Sequence, residues 1–511
     1  MIVAAWASQR AWRPLMADRN PRSEPWENRV DSQPLRVSSE ALFQELYSDL
    51  DEAVWLDSAR ASYGMGRFSI MGAPGEDDPH ISYSADRREV SECGTVVARE
   101  INLWSWLADR IDRNPTPPLP YEIPFAGGFV GYAGYGTDGG VPVPRSDPHG
   151  PDAEFIHLSR YVVIDHEKLC VHVVAVVPPT MVAGATAWVA AIAARIADLC
   201  AEPAPPAAAP TSLLPARMSV DRDRYLADLV VVREWLLAGD SYEACYTYQL
   251  TGELDGSSLD AYRRLRRNNP APYGAYLCFG VRRVLSCSPE RFLQVTSADW
   301  AETKPIKGTA RRSVDPDQDV AIAKALALDP KTRSENLMIV DLVRNDLGLI
   351  CAPGTVKVAK LMAVETYATV HQLVSSVTGK LEPRSGAAVH AAGALFPGGS
   401  MTGAPKLRTV ALLDGLEATP RGVYSGCIGY VSRCGSADFS VVIRTAIVDG
   451  STIRIGTGGA ITVDSDAEAE LDETIVKAQA MLAAFGYVHP LSGHAGSAIT
   501  GRAALPSEDG T

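Results

Sequence analysis

Three carboxylates and two lysines in this chain have types and spacings that could hold a cation or an organic anion. Between 466 and 485 the apolar spacing predicts a helix. Glu470, Glu473 and Lys477 fall on one of its faces at i, i+3 and i+7, and Leu471, Ile475, Ala478 and Leu482 form another. That polar face has two readings. It is a solvated surface with a Glu473–Lys477 pair worth about 0.3–0.5 kcal/mol, or it offers two carboxylates to Mg2+, which takes few carboxylates and keeps several waters. Glu335, early in a helix expected over 331–347, could add a further oxygen ligand. Its segment SENLMIVDLVRND is apolar enough to be buried, so its acidic and amide positions need a reason.

Lys307 lies in PIKGTARR (305–312), expected to be a loop after a strand over 292–296. A lone lysine is most often solvated charge, and Lys307 by itself fixes no chemistry. The stretch PGGSMTGAPK (397–406) has glycines at phosphate-loop spacing, Gly398 and Gly403. Ala404 and Pro405, however, stand where that loop requires Lys and Ser or Thr. It reads equally as a structural turn before a helix starting near Pro405. GGFVGYAGYG (127–136) fails the dinucleotide pattern and is expected to form tight turns.

The elements that must carry these residues divide the chain. Residues 1–37, rich in Arg, Pro and Trp without periodicity, read as a poorly ordered leader, and 38–200 as a first globular region with strands over 161–165 and 169–177. A Pro/Ala-rich linker over 201–217 leads to a catalytic region over 218–487, and 488–511 read as a disordered tail. Within 218–487, a helix over 221–238 stops at Gly239. The strand after it alternates, with Tyr242, Ala244, Tyr246, Tyr248 and Leu250 on one face and Glu243, Cys245, Thr247 and Gln249 on the other. Helices over 317–329, 331–347, 404–416 and 466–485 are interleaved with strands over 273–279, 424–431, 438–448 and 452–456. Hairpin-like strands mixed with helices predict an α+β fold.

Composition narrows the class. With 46% hydrophobic and 21% charged residues over 511 positions the chain can bury a large core. A net charge of −13 argues against a nucleic-acid binder, although a small anion can still find a locally positive pocket. Nine cysteines without C-x-x-C pairs suit free thiols. No signal peptide is evident, and no run approaches the ~18–20 consecutive apolar residues of a membrane helix. The expectation is a cytoplasmic protein without nucleic-acid or membrane partners.

Read together, the segments resemble the chorismate-utilising enzymes, which include the large components of anthranilate and aminodeoxychorismate synthases. The matching blocks are GDSYEACYTYQL (239–250), RRNNPAPYGAYL (266–277), SCSPERFL (286–293), KPIKGTARR (304–312), SENLMIVDLVRNDLG (334–348), ETYATVHQLVS (365–375), FPGGSMTGAPK (396–406), YSGCIGY (424–430), FSVVIRT (439–445) and GTGGAITVDSDAEAELDETIVKA (456–478). Weaker matches at 56–70 and 124–136 extend the resemblance into the first region. It implies packed antiparallel β-sheets flanked by helices, as in the large component of anthranilate synthase. It also implies that Glu335 and Glu473 bind Mg2+ with Glu470 close by. Tyr424, Arg444, Lys477 and the backbone N–H of Gly458 would hold the carboxylates of chorismate. His371 would be an active-site histidine, and Glu290 the acid that protonates a departing C4 hydroxyl. Ser58, Pro272 and Tyr273 match a pocket that binds tryptophan in some members; core packing is the alternative for the last two.

Lys307 separates the branches. The anthranilate branch usually has alanine there, whereas a lysine marks the branch that makes 4-amino-4-deoxychorismate for p-aminobenzoate and folate. In that branch the resemblance implies lysine attack at C2, loss of hydroxide from C4, then addition of ammonia at C4. An amine attacks only when deprotonated, so its pKa of about 10.4 would have to be lowered by burial or nearby positive charge. Glu243 occupies the position where isochorismate and salicylate synthases carry a lysine base and where other members often carry Gln. The chain has no Cys nucleophile elbow with a following His-x-Glu, so ammonia is expected from a separate glutamine amidotransferase subunit. Anthranilate synthesis and a catalytically silent chorismate- or tryptophan-binding subunit are the alternatives.

Overall fold

β-branched and aromatic residues at alternate positions draw most strands into two large antiparallel sheets. The computed structural model describes residues 25–492 except 59–63, 138, 140–143, 200–206, 208–209, 211–212 and 368–369. The first sheet runs Glu27–Pro34, Cys170–Val177, Arg160–Asp165, Phe68–Gly72, Glu52–Asp57, Tyr273–Phe279, Arg282–Ser288, Thr445–Asp449, Thr452–Ile461, Glu243–Glu253 and Arg217–Met218, with Gly403–Ala404 added on Glu243–Glu253. The second runs Ile306–Arg311, Val370–Lys380, Trp300–Lys304, Arg291–Val295, Ala437–Val441, Cys427–Ser432, Gly128–Ala133, Ala153–Leu158, His80–Ser84, Glu89–Glu92 and Thr95–Ala98, with Lys357–Thr366 added on Val370–Lys380.

The sheets face each other across a core to which the first contributes Val54, Ile70, Leu277 and Val284 and the second Tyr132, Ile156, Ile428 and Tyr430. The helices Ser39–Tyr47, Val182–Asp198, Arg222–Ala238, Ser258–Asn268 and Ala467–Ala484 cover the outer face of the first sheet. Leu103–Asp112, Pro330–Gly348 and Ala387–Leu395 pack on the second. This is the expected α+β arrangement of packed antiparallel sheets flanked by helices.

The two sequence regions are not two structural units. Glu52–Asp57 pairs in full register with Tyr273–Phe279, and Gly128–Ala133 with Cys427–Ser432, so each sheet crosses from one region into the other. The leader also ends earlier than expected. Glu27–Pro34 pairs residue by residue with Cys170–Val177, whose edge N–H and C=O groups would otherwise lack partners; 1–24 lie outside the described residues. The linker ends in two short strands, Leu214–Pro215 and Arg217–Met218. His489, in the stretch read as tail, is fully buried.

GGFVGYAGYG forms the strand Gly128–Ala133 rather than tight turns. Its glycines are there for close approach. A Cβ on Gly131 would sit 2.0 Å from the Glu154 carbonyl, and one on Gly128 2.2 Å from that of Val431. A second departure concerns Val182–Asp198. With the turn before it, it is long and apolar enough to cross a membrane, contrary to expectation, because Ala and Gly extend its apolar run. It lies on the first sheet, burying Ala185, Val189 and Ile196.

Candidate active site

The alternation in Glu243–Glu253 decides what faces the space between the sheets. Ala244, Tyr246, Tyr248 and Leu250 enter the core beneath the helices, so Glu243, Cys245 and Thr247 point the other way. Opposite them comes Lys307. It lies on the strand Ile306–Arg311 and not in a loop. The pairing of that strand with Val370–Lys380 slips between Ile306 and Thr309, next to Gly308 at φ 83°. An extra residue at this point bends the strand and turns the lysine inward.

Lys307 is buried, and its Nζ donates to Glu243 Oε1 at 2.5 Å; Glu243 is 1% exposed. Burial alone would lower the lysine pKa, but the negative charges of Glu243 and Glu335 outweigh it and the net direction is up. This reverses the expectation of a lowered pKa: the neighbouring carboxylates hold Lys307 as an ammonium. Glu243 Oε2 is buried and accepts no hydrogen bond.

Glu290 is buried next to this pair. Burial pushes its carboxyl up to about 7, against the opposing influences of a hydrogen bond from Ser400, the charge of Lys307, the Ile306 amide and Arg444. A carboxyl poised near neutrality is suited to general-acid work. Ser400 belongs to the PGGSMTGAPK stretch, which therefore shapes this site in addition to making a turn. Gly399 packs against Leu342, and Gly403–Ala404 pairs with Glu243 and Ala244.

Glu335 on Pro330–Gly348 and Glu470 and Glu473 on Ala467–Ala484 lie across from Lys307. Lys331 Nζ lies 2.5 Å from Glu470 Oε1 and 3.8 Å from Glu335 Oε1, bridging two of the three expected metal ligands. Lys477 pairs with Glu473 at 2.8 Å. Burial raises the Glu335 pKa, and neighbouring Glu243 and Glu470 push the same way; Glu473 is lowered, by Lys477, Lys331 and Lys307 against the larger opposing effect of burial. Among the described residues no three His, Cys, Asp or Glu side chains already converge as a metal cluster. The donors nonetheless fit a divalent cation, because the ammonium of Lys331 already stands in for one between the Glu470 and Glu335 carboxylates.

Of the residues expected to hold carboxylates, Arg444 is the clearest. It sits at φ 50° between Ala437–Val441 and Thr445–Asp449, and burial lowers its pKa. Tyr424 is buried, its ring against Gly456, where a Cβ would lie 2.2 Å from the ring. Lys477 donates to the Gly458 carbonyl at 3.3 Å. His371 lies on Val370–Lys380, the strand paired with that of Lys307. Its Nε2 lies 3.0 Å from Asp319 Oδ1 and its Nδ1 3.0 Å from Thr366 Oγ1, so both ring nitrogens are engaged by protein groups.

Ser58, Pro272 and Tyr273 line one cavity of about 200 Å3 between the sheets. Ser58 donates to the Phe68 carbonyl at 2.7 Å, and Tyr273 to Asp438 at 2.9 Å while accepting from Arg291 at 2.5 Å. Sequence reasoning singled out neither Lys331 nor Ser400 and left the effect of Glu243 open. Lys331 carried a readable signal, its i, i+4 spacing from Glu335. Ser400 carried none, and for Glu243 only its face and position were readable, since its partner Lys307 is remote in the chain.

Comparison with known proteins adds the lineage. A family model described as chorismate binding enzyme matches residues 55–483. A Streptomyces griseus protein named aminodeoxychorismate synthase is 42% identical over 467 residues, covering 88% of this chain and 63% of that protein; this chain thus spans less than two thirds of that relative. A Klebsiella aerogenes protein named aminodeoxychorismate synthase component 1 is 35% identical, over 85% of this chain and 95% of that one. The crystal structure of anthranilate synthase component I from Streptococcus pneumoniae superimposes with a TM-score of 0.70 at 29% identity, covering 83% of this chain and 93% of that one.

Proposed function

This chain belongs to the chorismate binding enzymes, and on that premise we propose that it converts chorismate and ammonia to 4-amino-4-deoxychorismate. The observation that carries the reading is Lys307, buried and donating to Glu243, with its charge acting on the buried Glu290 carboxyl. An alanine there would leave a site that activates chorismate with no nucleophile on the protein. The names of the relatives support the same branch.

In this reading Arg444, Tyr424, Lys477 and the Gly458 backbone bind the two carboxylates of the substrate. Glu335, Glu470 and Glu473 would hold Mg2+ in place of the Lys331 ammonium. When bound, the cation offsets the negative charge that gathers where a dianion meets three glutamates. Lys307 gives its proton to Glu243 Oε1 and its freed lone pair forms a bond to C2. Both ring double bonds shift and the C4–O bond breaks. Glu290 supplies the proton with which that oxygen leaves as water. Ammonia then adds at C4, the double bonds shift back, and the C2–N bond breaks, returning Lys307 as a free amine that regains its proton from Glu243; the new C4 ammonium gives its extra proton to Glu290, which is restored as the acid. The enolpyruvyl side chain is retained throughout. His371 orients the Lys307 strand from its place between Asp319 and Thr366.

Ammonia would come from a glutamine amidotransferase partner, a division of labour that the phrase component 1 in the name of the Klebsiella relative supports. The product would feed p-aminobenzoate and folate synthesis in the cytoplasm. The cavity at Ser58, Pro272 and Tyr273 would take tryptophan. The second reading, anthranilate synthesis, is favoured by the Streptococcus pneumoniae structure and disfavoured by Lys307. Incubation of the protein with chorismate, Mg2+ and ammonium, with products identified by mass, tests the choice. A product retaining the enolpyruvyl group is expected; anthranilate with free pyruvate would overturn the proposal.

A further inference from the structure

Sharing no residue with the catalytic cluster, a cleft of about 400 Å3 opens where the turn after Cys427–Ser432 meets the strands Gly128–Ala133 and Ala153–Leu158. Its floor holds Arg433, 7% exposed. Arg433 Nη2 contacts His157 Nε2 at 3.0 Å. A guanidinium can only donate, so that nitrogen accepts, and the ring proton sits on Nδ1, which donates to Asp78 Oδ1 at 2.6 Å. His157 is thereby neutral, consistent with its pKa being pushed down by burial and by Arg433.

Asp78 is spent on His157, Ser159 and the Gly75 amide. Arg433 itself has no carboxylate within ion-pair distance among the described residues, and its Nε, buried, has no hydrogen-bond partner. Burial pushes its pKa down to about 10. An interior cation whose nearest carboxylate, Asp78, acts on it only from behind His157 is costly, and an orphaned buried N–H calls for an explanation. Arg160, on the same cleft, repeats the pattern with a buried Nε that is likewise unpartnered.

The walls say what kind of anion would fit. Trp26 lies over the Arg433 guanidinium at 4.1 Å, and Trp106 and Phe129 line the cleft beside it. Asp77, at the same cleft, and Glu92, already paired with Arg110, disfavour a multiply charged ligand. We propose that this cleft is a second ligand site, for a small planar monoanion such as an aromatic carboxylate. Its carboxylate would be held by Arg433 and Arg160 and its ring by the tryptophans. The guanidinium fork suits a carboxylate edge-on, and apolar walls with a few convergent polar groups are the usual form of a small-molecule site.

Benzoate is the probe, benzamide its uncharged control, and tryptophan fluorescence with calorimetry on the full chain the readout. Saturable benzoate binding is expected, with benzamide at least about tenfold weaker. Arg433→Met should weaken benzoate by a similar factor, and so should Arg160→Met, which tests the idea even if the buried substitution fails to fold. Lys307→Ala should bind benzoate as the parent does. The proposal is overturned if benzoate does not saturate, if benzamide binds equally, or if chorismate displaces benzoate and the arginine variants bind normally. None of these outcomes depends on which product the catalytic site makes.

Discussion

Glu243 and Lys307, 64 residues apart and on different sheets, meet as a buried ion pair with 2.5 Å between Oε1 and Nζ. The pair keeps the lysine charged and in place while making it a poor nucleophile. Its stabilisation of the fold is fully present below the unfolded lysine value of about 10.4 and is lost only as pH climbs through the higher folded value. Reaction therefore requires the proton to move along the pair, to Glu243.

Glu243→Gln tests that role. The amide keeps the shape but removes the charge that raises the lysine pKa, so burial acts without its main opponent. The rising limb of the pH–rate profile should move to lower pH by at least about one unit. Initial rates between pH 6 and 9.5 measure it; a profile that superimposes on the parent's would mean that Glu243 does not control the proton.

Glu290 has the opposite sense. A carboxyl held near 7 is protonated below that value, so departure of the C4 hydroxyl should slow as pH rises through about 7. Because its folded pKa is raised, ionising it costs stability progressively from about pH 4.5 to 7. Glu290→Gln should lower kcat by roughly 10²–10⁴-fold yet melt higher than the parent at pH 8, by on the order of 1–3 kcal/mol. Loss of activity with a lower melting point would indicate a structural role.

Lys331 competes with any metal for Glu470 and Glu335. Removing a unit charge at about 4 Å changes the local energy by up to ~4 kcal/mol at an effective dielectric constant of about 20. The side chain is 43% exposed, so a smaller effect is expected. Lys331→Met should lower the Mg2+ concentration for half-maximal activity by about tenfold. An unchanged metal titration would remove these two glutamates from the ligand set.

Gly131→Ala addresses the seam between the chain's two regions. Its Cβ would lie 2.0 Å from the Glu154 carbonyl, in backbone that cannot swing aside. A destabilisation of about 1–3 kcal/mol or more is expected, read as a lower melting temperature. An unaltered melt would show that the Gly128–Ala133 strand shifts freely.

The site was legible where chemistry lies close in sequence. Glu470, Glu473 and Lys477 share a helix face as their spacing requires, and the alternation after Gly239 correctly separates Glu243 and Cys245 from the core face. What could not be read was what those residues meet. A nucleophile needs a lowered lysine pKa, while the structure obeys the nearest carboxylate. Glycine content at 127–136 points to tight turns, but those glycines serve neighbouring backbones that arrive from 154 and 431. A two-region division followed composition, whereas pairing follows sheet edges.

The interleaving of the sheets also sets a timetable for the nascent chain. Gly128–Ala133 leaves the ribosome with one edge destined for Cys427–Ser432, roughly 300 residues later, an interval of about 15–60 s at about 5–20 residues per second. Through that time the Gly128–Ala133 edge is open to other nascent chains, and the Glu52–Asp57 edge is open until Tyr273–Phe279 follows roughly 200 residues after it. Neither sheet can be closed by the first half alone, so this topology does not fold domain by domain.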